Sequence, residues 1–266
     1  MGLASSTLNP ANSLIFFPES NRNIDGYIHN RILSSNGNKI PLYYHVHDKS
    51  VISSKRKCLI YSHGNASTLE SLKFTIREFM KLEIDLVFYD YQGYGYSNIN
   101  GNVYPCENAC VQNLKDIAQY LKKLGYLDKN MILYGRSLGS GVSIKYISEN
   151  SFNGKAIVVC PFTSICEVGG KFAEKYLSTF DVFRSIDHIE KVKIPVFFIH
   201  TREDRIVPFD HGQRLFQKYK NNCHRYNITV VPPLWVDKGD HNTFEYQYGF
   251  NNFIEHLKNF ISSNDD

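Results

Sequence analysis

The run Gly135-Arg136-Ser137-Leu138-Gly139 sets one serine between two glycines, after the apolar stretch Met131-Ile132-Leu133-Tyr134 and before helix-compatible sequence. A strand bending sharply into a helix needs small residues at such places, because side chains there would clash, and the turn leaves its serine exposed at the apex. Ser137 is therefore a candidate nucleophile. A serine hydroxyl is a poor nucleophile at neutral pH, so it needs a positioned base, a third group that orients the base, and donors for the oxyanion that forms on an attacked carbonyl. His241, in Lys238-Gly239-Asp240-His241-Asn242, is the candidate base, since it stands in a loop, where few side chains are core. The acid that fixes the imidazole tautomer is sought in His200-Thr201-Arg202-Glu203-Asp204-Arg205-Ile206-Val207-Pro208. Asp204 and Glu203 compete there. A strand end, a short loop, an aspartate and then Val-Pro opening a helix favour Asp204 and leave Glu203 solvated beside Arg202 or Arg205.

Two backbone N–H groups are expected to hold the oxyanion, each worth about 3 kcal/mol. Leu138, next to the serine, supplies one. The loop Ser62-His63-Gly64-Asn65-Ala66 supplies the other, from Asn65 with Ala66 as second choice, while His63 orders the loop. The glycines of Asp90-Tyr91-Gln92-Gly93-Tyr94-Gly95-Tyr96-Ser97 allow another tight loop, which either shapes the pocket wall or is plain turn chemistry with aromatic packing. No metal or cofactor is expected. The six cysteines form no CxxC, Cys106 and Cys110 have no histidine pair nearby, and His45-Val46-His47 has no third ligand and reads as a solvent-facing strand.

These residues must be carried by elements that bring them to one edge. Cys58–Tyr61, Asp85–Tyr89, Met131–Tyr134, Ala156–Val159 and Pro195–Ile199 are short, continuously apolar runs, as expected of parallel strands buried on both faces. Residues 25–34 and 40–47 alternate partially, as half-buried strands do, with Asn36-Gly37 as a turn signal between them. A last strand near 228–236 contains Pro232-Pro233 and belongs at a sheet edge. Leu114, Ile117, Ala118, Leu121 and Leu124 share one helix face, with Gly125 as a stop. A final helix over 243–261 opens on Asn242 as N-cap with Glu245 three on, and buries Phe250, Phe253, Ile254, Leu257 and Ile261. An antiparallel start followed by repeated β-α units predicts an α/β fold, a mostly parallel doubly wound sheet with helices on both sides. Its ligand site lies at the carboxyl ends of the strands, and the Ser-Asp-His chain order is that of α/β-hydrolases.

The 266 residues suit one such domain. A net charge of +4 without a dense basic block argues against nucleic acid as a partner. Scattered cysteines, no signal peptide and no long apolar run read as a cytosolic chain with reduced thiols. Residues 1–20 read as a tail and 21–266 as the domain, with a short lid insertion at about 161–194 whose aromatics either line an acyl groove or pack the lid. Met1-Gly2-Leu3-Ala4-Ser5-Ser6 fits the myristoylation pattern at Gly2. One myristoyl chain binds membrane only marginally, so a second signal is required. No cysteine lies near Gly2, and no Lys or Arg precedes Arg22. Leu14-Ile15-Phe16-Phe17 either inserts into lipid or packs on the domain. The residues specify no oligomeric state.

SHGNA, DYQGYGYS, GRSLGSG, HTREDRIVP and PLWVDKGDHN together resemble the α/β-hydrolase domain-containing protein 17 family, over nearly the whole chain from about Leu14. PLWV followed by G-x-H-N is far more specific than GxSxG. The resemblance implies an α/β-hydrolase fold, the triad positions at Ser137, Asp204 and His241, and a membrane-associated serine hydrolase that removes palmitate from cysteine thioesters on proteins. It implies S-acylated proteins as substrates at the cytoplasmic face of membranes. The chain departs from the family at its N-terminus, where the family's palmitoylated cysteine cluster is missing and Gly2 offers myristate instead. Within the same fold the rival activity is a lipid or small-molecule carboxylesterase. Outside catalysis the rival is an inactive scaffold, against which the complete triad argues.

Overall fold

Alternation along each central strand sends one set of side chains to each face of a sheet. In the computed structural model, which describes residues 15–19, 30–33, 35, 37–98, 104–169 and 181–263, the strands are β1 (Asn30–Leu33), β2 (Lys39–His45), β3 (Cys58–Ser62), β4 (Asp85–Tyr89), β5 (Met131–Arg136), β6 (Lys155–Val159), β7 (Val196–Thr201) and β8 (Leu234–Val236). They form one eight-stranded sheet in the order β1-β2-β4-β3-β5-β6-β7-β8. The β1–β2 and β2–β4 pairs are antiparallel, and all the others are parallel.

The longer helices are α1 (Lys73–Phe79), α2 (Glu107–Lys123), α3 (Leu138–Glu149), α4 (Phe209–Tyr226), α5 (Phe244–Tyr248) and α6 (Phe250–Ser262). Ile60, Leu133, Val158 and Phe198 point to the side covered by α2, α3 and α4, where Leu114, Ile117, Val142, Leu215 and Tyr219 meet them. Their sequence neighbours Leu59, Ile132, Ile157 and Phe197 point to the opposite side, against Ile76 and Phe79 of α1 and Phe253, Leu257 and Ile261 of α6. Each such buried side chain contributes about 1.5–3 kcal/mol relative to exposure. Among the described residues no helix is long and apolar enough to cross a membrane.

The structure differs from the sequence reading at several elements. β2 ends at His45, so Val46 and His47 of the expected strand lie beyond it. The final helix is two: α5 begins after Thr243, and Gly249, at φ +91°, turns the chain before α6. Leu124 leaves the buried stripe and is exposed, because α2 ends at Lys123 and Gly125, at φ +92°, redirects the chain. The edge strand is shorter than 228–236, since prolines 232 and 233 have no N–H for the ladder.

Of the two expectations for the Leu14–Phe17 patch, packing describes Ile15 and Phe16, which are buried, while Phe17 is 57 % exposed. In the expected lid, Phe162 and Phe183 are buried and press on Gly141 of α3, so they pack the domain. Phe172, Tyr176, Phe180 and the acylation candidate Gly2 lie outside the described residues.

Candidate active site

Ser137 sits where β5 turns into α3, with φ 50° and ψ −116°. A non-glycine residue in such a conformation holds strain on the order of 1–3 kcal/mol and needs its surroundings to enforce it. The flanking glycines enable the turn by letting backbones touch. A Cβ on Gly135 would lie 2.3 Å from the Gly139 carbonyl oxygen, and one on Gly139 would lie 2.0 Å from the Ser62 carbonyl oxygen. The Ser137 N–H donates to the Val159 carbonyl at 2.8 Å, and the Ser140 N–H and hydroxyl both donate to the Ser137 carbonyl.

Asp204 follows β7, and His241 follows β8 through Gly239, at φ +110°. A Cβ on Gly239 would lie 2.4 Å from Phe244 Cα, so the loop is drawn tightly onto the start of α5. His241 Nδ1 donates to Asp204 Oδ2 at 2.6 Å, which leaves Nε2 of the neutral ring as the proton acceptor. Asp204 Oδ1 accepts the N–H groups of Ile206 and Val207 at 2.9 and 2.8 Å. Burial works to raise the Asp204 carboxyl, but the hydrogen bonds from His200 and His241, the attraction of the His241 ring when it is protonated and the Val207 N–H outweigh it and hold it well below the usual carboxylate range. Glu203 is exposed as expected, and it accepts the Gly239 N–H at 3.0 Å.

Three supporting residues escaped the sequence reading. His200 Nε2 lies 3.2 Å from Asp204 Oδ2 and 3.0 Å from the Val207 carbonyl, so that nitrogen carries the proton. Arg136, directly before the serine, donates Nη2 to the His241 carbonyl at 2.5 Å and forms a buried ion pair with Glu245. The elbow and the base loop are thereby tied by one guanidinium, which also lies over the Phe244 ring. Glu245, expected as a capping residue, is the counter-charge. Among the described residues Ser137 Oγ makes no hydrogen bond to His241, and Arg136 is the described link between the two loops. In substrate-free sites the nucleophile–base contact is often longer and tightens on binding.

The loop Gly64–Ala66 passes beside the serine, with a Gly64 Cβ falling at van der Waals distance, 3.6 Å, from Ser137 Cβ. Among the described residues neither the Asn65 nor the Leu138 N–H has a protein acceptor. The Ala66 N–H, by contrast, donates to Asn65 Oδ1 at 3.2 Å, and Ala66 sits at φ 56°. Of the two donors weighed for this loop, Asn65 is thus the one with its N–H open. His63 is fully buried, donates Nδ1–H to the Gly64 carbonyl, and is pushed by burial down to about 4. It is a neutral part of the loop.

Cys160, His200 and Asp204 bring one possible ligand atom each within 4.8 Å of one another. Burial pushes the Cys160 thiol well up, away from the thiolate a metal takes, and Asp204 and His200 Nε2 already share the hydrogen bonds described above. The trio reads as part of the acid's support.

The comparisons with known proteins agree with this frame. A hydrolase family model described as serine aminopeptidase, S33, matches residues 53–184. A putative α/β hydrolase of Acanthamoeba polyphaga mimivirus is 30% identical over 211 residues, covering 79% of this chain and 75% of that protein. α/β-Hydrolase domain-containing protein 17C of Mus musculus is 33% identical over 214 residues, 79% of this chain and 61% of the mouse protein, so the chain spans about three-fifths of that relative. Domain-containing protein 17B of Xenopus laevis is 32% identical over 79% of this chain and 67% of its own length. Among solved structures, an esterase of Pyrococcus furiosus superposes with a TM-score of 0.66 at 18% identity, covering 87% of this chain and 88% of that one. Est1E of Butyrivibrio proteoclasticus gives 0.65 at 18%, covering 86% and 96%. At those identities the structural likeness is one of fold.

Proposed function

The chain belongs to the α/β-hydrolases, as a relative of α/β-hydrolase domain-containing protein 17, and from that premise we propose that it is a serine hydrolase that cleaves S-acyl thioesters, palmitoyl thioesters in the first place, on membrane-associated proteins. The observation that carries the catalytic part is the 2.6 Å contact of His241 Nδ1 with the ionised Asp204, on the same sheet edge as the strained Ser137 turn. The thioester preference and the protein substrate rest on the family resemblance.

His241 Nε2 takes the Ser137 proton as Oγ bonds to the thioester carbonyl carbon. The oxyanion meets the N–H groups of Asn65 and Leu138. When the tetrahedral intermediate collapses, the C–S bond breaks and the departing thiolate takes the proton from His241. Water then gives its proton to His241 and attacks the acyl-serine ester. The second collapse releases the fatty acid and returns the proton to Ser137. Asp204 stays ionised throughout and stabilises the imidazolium. No cofactor enters the cycle.

Ser137→Ala is expected to abolish labelling by a fluorophosphonate probe, and persistent labelling identifies another nucleophile. Turnover of an S-palmitoyl peptide against a lipid ester of equal chain length tests the leaving group. Preference for the oxygen ester makes the chain a carboxylesterase, and absence of any acyl-enzyme burst makes it a scaffold. For the membrane, the reading is peripheral binding at the cytoplasmic face through myristate on Gly2. Gly2→Ala is then expected to lower membrane-fraction recovery, and unchanged partitioning refutes that anchor.

A further inference from the structure

The Asn65 side chain is committed to structure. Its Oδ1 accepts the Tyr94 hydroxyl at 2.6 Å, the Phe17 N–H at 2.9 Å and the Ala66 N–H at 3.2 Å, while Nδ2 donates to the Ile15 carbonyl at 2.7 Å. An amide oxygen has two lone pairs, so this acceptor is saturated. Two of its partners come from the main chain of Ile15–Phe17, which lies some fifty residues earlier in the chain. The same segment is fastened at its other end, where the Gly95 N–H donates to the Glu19 carbonyl at 2.7 Å. Phe16 anchors the middle, buried edge-on to Phe183 with ring centroids 6.2 Å apart. Meanwhile the loop it grips contains Ala66 in a left-handed conformation that external contacts must enforce.

Resting on the serine-hydrolase reading above, we infer that residues 15–19 form a strap that belongs to the active site: by holding the Asn65 amide, the strap fixes the turn that aims the Asn65 N–H at the oxyanion. Ile15 and Phe17 act through their backbone and are positioning residues. An oxyanion donor works only when placed at the transition-state oxygen. Loosening the strap therefore lowers kcat and leaves KM in place, because the contact it serves is made in the transition state alone.

The test uses the full chain with p-nitrophenyl butyrate, a short ester that takes acyl-groove recognition out of the comparison. Phe17→Pro and Phe17→Ala both remove the ring, and only proline removes the N–H that Asn65 Oδ1 accepts. Rates are expressed per site titrated with a fluorophosphonate probe, so that a variant which merely unfolds in part loses sites without losing kcat per site. Phe17→Pro is expected to show kcat per site about tenfold or more below Phe17→Ala at the same KM, a modest fraction of the 10²-fold that a 1 Å misplacement can produce. Equal kcat per site in the two variants overturns the inference while leaving the hydrolase reading intact. Should the proline variant fail to fold, Phe16→Ala removes the ring that anchors the middle of the strap against Phe183, and unchanged kcat per site there overturns it. A wild-type chain with no Ser137-dependent turnover overturns the hydrolase reading and the strap together.

Discussion

The two networks that flank Ser137 handle charge in opposite ways. On one side an ionised carboxylate, Asp204, is satisfied by two backbone N–H groups and two imidazoles. On the other side the oxyanion loop is held by neutral groups: an amide, a tyrosine hydroxyl, main-chain dipoles and the buried His63. The carboxylate there, Asp90, is also fully buried. Among the described residues it accepts the Leu69 and Tyr96 N–H groups and lies 4.0 Å from His63 Nε2, and burial pushes it up to about 6. The base needs a permanent negative partner when it becomes an imidazolium. The oxyanion needs preorganised dipoles whose N–H ends are left open. The acid side thus holds a permanent negative charge against the base, while the groups bonded directly to the oxyanion loop are dipoles.

Removing the charge on the acid side tests this contrast most severely. Asp204→Asn is expected to lower kcat by about 10⁴-fold with the fold retained, since the amide favours the wrong imidazole tautomer. Steady-state kinetics with a thermal melt checks it, and a loss under tenfold breaks the assignment of roles. Because Asp204 is held ionised, an acidic limb of activity between pH 5 and 7 belongs to another group.

Next comes the strut between the loops. Arg136→Met leaves Glu245 buried without its counter-charge and is expected to remove about 3–5 kcal/mol of stability. Arg136→Met combined with Glu245→Leu is expected to recover most of that by denaturant titration, yet to keep kcat about tenfold low, because the His241 carbonyl remains unpinned. Full recovery of both quantities reduces Arg136 to a packing role.

The smallest effect is a pH dependence on the neutral side. His63, lowered to about 4, gives stability that is present above its unfolded value near 6.5 and lost as pH falls toward 4. Asp90, raised to about 6 from 3.8, gives stability that is present below 3.8 and lost as pH rises through 6. The two slopes oppose each other between pH 4 and 6. His63→Asn keeps a donor for the Gly64 carbonyl and removes one slope. Its unfolding free energy is expected to fall between pH 4 and 6 by up to about 3 kcal/mol relative to wild type. Parallel curves for the two proteins remove the charge contrast on this side.

Much of the frame was legible because it is local. The strands β3 to β7 are continuous apolar runs, and the turn at Ser137 is marked by glycines two residues to either side, where backbones pass within contact distance. The break at Gly249 is not legible in the sequence, because the apolar stripe of α6 continues the helical period through it and only the backbone angle shows the turn. Glu245 looked like a capping residue by spacing, and it faces Arg136 across 109 residues instead. The strap was invisible for another reason: its bonds to Asn65 use main-chain N–H and C=O, which every non-proline residue carries.

The alternating β-α order, the sharp turn at Ser137 and the family membership are written in residue types at short spacing, and reading along the chain is enough to find them. That Asp204 faces His241, that Arg136 ties the elbow to the base loop and that Ile15–Phe17 grips Asn65 emerges from the folded chain alone. Those contacts join segments far apart in the chain through directional bonds a few ångströms long, and no local pattern encodes where two distant segments will meet.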